Sequence, residues 1–247
     1  MQYKEYHPNV LLSPYIKTYW VSDDLRGEGD CYKVLPDGCV EIIFMFDTTK
    51  ETVYAGIVGT KTSFFEVGYP QTLQVFGIRF KPAGITTFTR IPVDEFTDRN
   101  VELALVETLF NQSFCELLSE KKSMAEIIAQ TDSFLISRLP FLYSTDRKIF
   151  QAVDLISHAK GIINLASVAS EVCLCQRHFE RKFKSIIGIS PKMFAKILRF
   201  NHTVQYLQNN PHKDLLTIAV ECGYHDKSHL FKDFKMLSGN TPTNYRL

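Results

Sequence analysis

The sequence predicts an α+β chain. It has a β-rich, barrel-like N-terminal domain with linking helices, then an all-α domain of two helix-turn-helix units joined by a long helix. Three observations carry this: the apolar period changes from strand-like to helical near residue 98, the last hundred residues repeat themselves, and the charge changes sign between the halves. The expected divisions are 1–98 for the β-rich domain, 99–145 for a helical linker or dimerisation segment, and 146–247 for the helical domain.

Strands come first. Tyr15–Val21 is rich in β-branched and aromatic residues, Pro36-Asp37-Gly38 signals a turn, and Cys39–Phe46 follows as a strand. Thr52–Val58 and Thr72–Phe80 read the same way. Short strands between Gly and Pro turns suggest a barrel or sandwich. Beyond Asp98, Val101, Leu105 and Leu109 recur at helical spacing with Val106 and Phe110, as do Met124, Ile127, Ile128 and Leu135. Helices are expected at 100–119 and 123–138, with Pro140 closing the second. They would link the domains, pair with another copy of the chain, or pack on the N-terminal domain.

From Asp146 the pattern is helical, broken at Gly161, Gly188-Ile189-Ser190-Pro191, Asn209-Asn210-Pro211, Gly223 and Gly239-Asn240-Thr241-Pro242. The region repeats: Ala169 matches Ala219, Glu171 matches Glu221, and Phe183-Lys184 matches Phe234-Lys235 at an offset of 51. In the first unit Leu165, Val168, Ala169 and Val172 face inward. A turn at Cys173-Leu174-Cys175 leads to helix 176–187, which buries Phe179, Phe183 and Ile186 or Ile187. In the second, Leu216, Ile218, Ala219 and Cys222 take the first part. Gly223 suits a positive φ, Asp226 caps the next helix, and Leu230, Phe234 and Leu237 are its buried face. Ser190-Pro191 and Thr241-Pro242 each start a helix. Pro191–Gln208 is one continuous helix between the units.

Residues 1–145 hold 13 Lys+Arg and 19 Asp+Glu, a net of −6, whereas residues 146–247 hold 15 and 8, a net of +7. That asymmetry suggests a polyanionic partner for the second half. On helix 176–187, Arg177 and Arg181 share one face, with Gln176, Glu180 and Lys184 beside them. Lys227, Ser228, Lys232 and Lys235 hold the equivalent face of the second unit. An α-helix fits the major groove of B-DNA, where Arg and Lys donate to guanine O6 and N7. One charged helix face alone would more simply be a solvated surface, but two in a repeated frame within a basic region make that reading weak.

These segments resemble the AraC/XylS family of bacterial transcription regulators, over about 100 residues from Asp146 to Arg246. The resemblance rests on Leu174–Lys184, Gly188-Ile189-Ser190-Pro191, Ile218–Lys235 and Gly239–Arg246. It implies that helices 176–187 and 227–237 enter adjacent major-groove segments. Base contacts would fall on Arg177, Glu180, Arg181, Lys227, Ser228 and Lys232, and phosphate contacts on the helix ends, Lys184 and Lys235. Cys175 stands where the family usually carries a Ser cap, and Glu180 is an acceptor among donors. His225 and His229 match positions at the start of a DNA-facing helix, where packing or a phosphate contact is implied. Val34–Gly38, Gly77–Gly84 and Phe96-Thr97-Asp98 look like an N-terminal domain of some family members, which implies a β-rich sensory or regulatory domain.

Other chemistries lack their residues. Residues 1–145 hold only His7, too little for a metal-binding barrel. The six cysteines, 31, 39, 115, 173, 175 and 222, suggest neither a disulfide framework nor a zinc finger. There is no phosphate loop or nucleophile elbow. No cofactor, metal or catalytic site is expected. Neither a signal peptide nor a membrane span is evident, which favours a cytoplasmic protein. The expectation is a sequence-specific regulator of transcription whose N-terminal domain responds to a small molecule. One alternative is a ligand-independent regulator whose N-terminal domain dimerises or binds protein, and a less favoured one is an enzyme with a DNA-binding tail. Double-stranded DNA is the expected partner. RNA polymerase, a small-molecule effector and a second copy of the chain are further candidates, and a membrane is not.

Overall fold

The computed structural model describes residues 2–23, 32–47, 52–68, 73–103, 110–121 and 123–246. Eight strands come first: β1 (Gln2–Tyr6), β2 (Ile16–Asp23), β3 (Tyr32–Val34), β4 (Glu41–Asp47), β5 (Thr52–Val58), β6 (Phe65–Val67), β7 (Leu73–Phe80) and β8 (Asn100–Glu102). Six of them form one antiparallel sheet in the order β1-β2-β7-β4-β5-β8, and β3 pairs with β6. The expected barrel is replaced by layers. Among the described residues the large sheet stays open, with β1 and β8 as its edges.

Both faces of that sheet are covered, which is why its strands read as nearly unbroken apolar runs. Ile42, Phe44, Phe76, Ile78 and Phe80 face one core together with Phe114, Leu118, Ile127 and Leu135. The last four come from α1 (Gln112–Ser119) and α2 (Met124–Arg138), so these helices are packing elements of the N-terminal domain. Trp20, Ile43, Val58 and Val75 face the other side, where Met45 and Phe65 join them. Gly77 is needed here: a Cβ on it would lie 2.1 Å from Cε2 of Trp20.

The helix expected over 100–119 is corrected at its start. Asn100–Glu102 is a strand paired with β5, and α1 begins at Gln112, with the Asn111 side chain accepting from Phe114 N–H. Val101 satisfies an alternating pattern as well as a helical one, and sheet pairing decided between them. Leu105, Val106 and Leu109 lie outside the described residues, as do Thr72 and Cys31. The second helix agrees closely: Ser123 caps α2, and Pro140 lies in a 3-10 turn, Leu139–Phe141, at its end.

Six helices complete the chain: α3 (Arg147–His158), α4 (Leu165–Glu171), α5 (Gln176–Ile187), α6 (Pro191–Asn209), α7 (Leu215–Glu221) and α8 (Lys227–Ser238). They share one core, with Phe179, Phe183, Phe194, Phe200 and Phe234 almost fully buried. Fully burying such a ring is worth about 1.5–3 kcal/mol. The N-terminal domain touches this bundle at the end of α5. Thr60 Oγ1 donates to the Ile187 carbonyl at 2.7 Å and Thr97 Oγ1 to that of Gly188 at 2.5 Å. Those are helix-end carbonyls left without an intrahelical partner. Asn201 on α6 donates to the Pro36 carbonyl at 3.0 Å.

Candidate nucleic-acid interface

The repeat seen in sequence is a repeat of three-helix units, α3–α5 and α6–α8. In each, a seven-residue helix leads through a tight turn into a twelve-residue helix. Ala169 and Ala219 are buried where those helices cross. The turn bends through a left-handed residue, Gly223 at φ 74 in the second unit and Cys173 at φ 53 in the first. Leu174 N–H donates to the Ala169 carbonyl, and Tyr224 N–H to that of Ala219. The same backbone geometry therefore forms with and without a glycine.

Capping places each helix. Asn164 Oδ1 accepts from Ala166 and Ser167 N–H, and Asp214 Oδ2 from Leu216 and Thr217 N–H. Asp226 Oδ1 accepts from His229 N–H at 2.7 Å. Amide bonds hold the carboxyls of Asp214 and Asp226 below the ordinary aspartate range. Cys175 begins α5 without any side-chain cap, as a thiol in that position would. Gly188 and Gly239 end α5 and α8 in left-handed conformations, φ 92 and 70.

The expected contact residues divide cleanly. Gln176, Arg177, Glu180, Arg181 and Lys184 are exposed on α5, opposite buried Phe179, Phe183 and Ile187. Lys227, Ser228, Lys232 and Lys235 are exposed on α8, opposite Leu230, Phe234 and Leu237. The offset of 51 maps Gln176, Arg177, Arg181 and Lys184 onto Lys227, Ser228, Lys232 and Lys235. Glu180 Oε1 accepts from Gln176 Nε2 at 3.2 Å, so it restrains a neighbour on its own helix rather than either arginine.

His229 is the exception. It is half-buried and turns toward α6, with Nε2 3.3 Å from Arg199 Nη2 and its ring 5.2 Å from Tyr224. There it packs against Arg199 and Tyr224. Lys235 donates to the Gly239 carbonyl at 2.9 Å, as a cation at a helix C-terminus does.

Sequence reasoning passed over a buried ion cluster. Asp233, 1% exposed, accepts from Lys196 at 3.0 Å and Arg199 at 2.9 Å. The Arg199 guanidinium also lies over the Tyr224 ring at 4.4 Å. Asp233 maps onto Lys182, which pairs with Asp146 at 2.6 Å. Each unit thus ties its third helix to its first by an ion pair at one equivalent position, with the charges exchanged. Spacing offered a hint: Lys192, Lys196 and Arg199 lie at i, i+4 and i+7 on α6. They were hidden inside what read as a connecting helix.

A second concave region lies between the large sheet and the β3–β6 ribbon. It is an open cleft of about 580 Å³ lined by Trp20, Ile43, Met45, Tyr54, Val58 and Phe65. Arg79 and Glu41 also line it, Arg79 Nε donating to Glu41 Oε1. Burial pushes the Glu41 carboxyl up despite Arg79 beside it. Asp37 is held low, because Lys17 and Arg79 outweigh its burial. Among the described residues no group of three His, Cys, Asp or Glu could hold a metal, and Cys39, Cys115, Cys173, Cys175 and Cys222 are unpaired.

Comparisons with known proteins match two separate stretches of the chain. Residues 4–102 match the model of a domain of unknown function, and residues 168–247 match that of a helix-turn-helix domain. The chain is 27% identical over 130 residues to the probable transcriptional regulator LumQ of Photobacterium leiognathi. That match covers 50% of this chain and 51% of LumQ. It is 28% identical over 106 residues to the HTH-type transcriptional regulator ArgR of Pseudomonas aeruginosa, covering 42% of this chain and 32% of ArgR. The chain therefore spans about half or less of the curated relatives it matches. Among solved structures, an apo form of ToxT from Vibrio cholerae is similar with a TM-score of 0.44 and 15% identity, over 92% of this chain and 96% of that one.

Proposed function

We propose that the helix-turn-helix domain ending this chain makes it a sequence-specific, DNA-binding transcription regulator of the AraC/XylS kind. One observation carries the reading. Two structurally equivalent units present α5 and α8 with polar and cationic side chains at four matched, exposed positions. The +7 charge of residues 146–247 supplies attraction to phosphate. Arg177, Glu180, Arg181, Lys227, Ser228 and Lys232 are the base-reading candidates, and Gln176, Lys184 and Lys235 flank them. Of these, Arg181 and Lys232 occupy one equivalent position and have no carboxylate partner among the described residues.

Residues 1–98 act in this reading as the sensory domain, with the cleft beneath the β3–β6 ribbon as effector site. Its size and apolar walls suit a small molecule. This favours a ligand-responsive regulator over one whose N-terminal domain only dimerises. The contacts of Thr60 and Thr97 with the end of α5 give the sensory domain a direct hold on the first unit. A homodimer and RNA polymerase complete the set of partners, in the cytoplasm. No described helix is long and apolar enough to cross a membrane.

The test is selection of duplexes from a random pool by the full-length protein, followed by titration of variants on the selected site. Arg181→Ala and Lys232→Ala each weaken binding by about 1–3 kcal/mol and relax preference at one base pair, in different halves of the site. Failure of the pool to converge on any sequence overturns the reading.

A further inference from the structure

Between α6, α8 and the turn before α4 lies a cleft of about 400 Å³. Lys192, Lys196 and Arg199 line it from α6, and Lys232 from α8. Asp233 is the carboxylate among its described lining residues, and it is committed to Lys196 and Arg199. Lys192 and Lys232 are exposed and meet no carboxylate among the described residues. The cleft thus keeps a surplus of positive charge, part of it without an internal partner. Gly161, Ile163 and Leu165 line it from α4 and the turn before it, and Ala195 and His229 complete its wall. It is accordingly the place where the first and second units meet, fixed by the helix that joins them.

We infer that this cleft seats a backbone phosphate of duplex DNA, with Lys192 as its donor, at the stretch between the groove segments entered by α5 and α8. The inference rests on the DNA-binding reading above. The chemistry follows from the donor. A lysine ammonium is a point charge on a flexible stem, suited to phosphate and indifferent to sequence. Lys192 stands in the first turn of α6, where the N-terminal dipole adds to the attraction for an anion. Arg199 is a positioning residue. Its bonds to Asp233 and the Gly223 carbonyl hold α8 and its preceding turn against α6, and so set the width of the cleft. The seat would contribute affinity and register to every complex, and would distinguish no base pair.

The experiment measures binding of the full-length protein to the selected duplex and to a scrambled duplex of equal length, from 50 to 200 mM salt. The proteins compared are wild type, Lys192→Ala, Lys192→Glu, and Lys4→Ala as an exposed control on β1. Loss of one phosphate contact reduces the slope of log K against log salt by about 0.9. Over that fourfold range in salt, the gap between wild type and Lys192→Ala therefore narrows about 3.5-fold. The expected result is this narrowing on both duplexes alike, a larger loss for Lys192→Glu, and no change for Lys4→Ala. An unchanged slope for Lys192→Ala overturns the seat, as does a loss confined to the selected duplex, which would make Lys192 a base reader. If wild type itself binds neither duplex, it is the regulator reading that fails.

Discussion

Asp233→Asn should loosen the second unit far more than the equivalent change loosens the first. Asp233 is 1% exposed and joins two cations that are themselves 16% and 23% exposed. Removing one partner of a buried ion pair costs about 3–5 kcal/mol, because the charges left behind are poorly solvated. Lys196 and Arg199 keep some access to water, and the asparagine oxygen can still accept from one of them. The expected cost is therefore about 2–4 kcal/mol. In the first unit the matching pair is Lys182, 38% exposed, with Asp146, 18% exposed. Water already screens that pair, so Lys182→Met costs at most about 1 kcal/mol. Hydrogen exchange reads each helix separately. Amides of α8 in Asp233→Asn should exchange roughly 30- to 1,000-fold faster, and those of α5 in Lys182→Met less than about tenfold faster. Equal acceleration in the two units would refute the claim that burial, rather than the ion pair itself, sets the difference.

Two further predictions concern the turns and caps. Cys173 holds a left-handed backbone at φ 53, where its structural equivalent is Gly223. Cys173→Gly removes about 1–2 kcal/mol of steric cost and adds about 0.5–1 kcal/mol of lost unfolded-state freedom. The net is a stabilisation of up to about 1.5 kcal/mol in denaturant unfolding, and destabilisation would show that Cys173 makes a contact worth more than its strain. The helical domain should also weaken in acid. Burial would raise Asp146, but Lys182 and the α3 amides hold it low, and amide bonds hold Asp214 low. A lowered carboxylate contributes in full above its unfolded pKa, near 3.9, and its contribution is lost as pH falls toward the folded value. Unfolding monitored from pH 6 down to pH 2.5 should therefore show stability falling below about pH 4, less steeply in Asp146→Asn.

Much of the site was legible because its signals are local. The 51-residue repeat, the Gly and Ser-Pro or Thr-Pro boundaries and the apolar period of α5 and α8 depend on neighbours within one or two turns. Those signals placed Phe179, Phe183, Leu230 and Phe234 inside, and Arg177, Arg181, Lys232 and Lys235 outside, where the structure has them. His229 was harder, since its orientation follows from Arg199 and Tyr224, thirty and five residues away. The acidic partner of Lys196 and Arg199 was invisible for the same reason: Asp233 sits on another helix, and charge on a helix reads as solvated unless its neighbours are known.

Composition and period alone determined that a β-rich half precedes a basic, helical one, and where most strands and helices lie, because burial imposes its spacing on consecutive residues. Only the tertiary structure decided that the large sheet stays open under a two-stranded ribbon, that Asn100–Glu102 extends it, and that α1 and α2 pack on its back. It alone brought Thr60 and Thr97 to the end of α5, and Asp233 to Lys196 and Arg199. Such pairings join residues far apart in the chain, and their free energy depends on distance and water access in the folded molecule, neither of which has a period in the sequence.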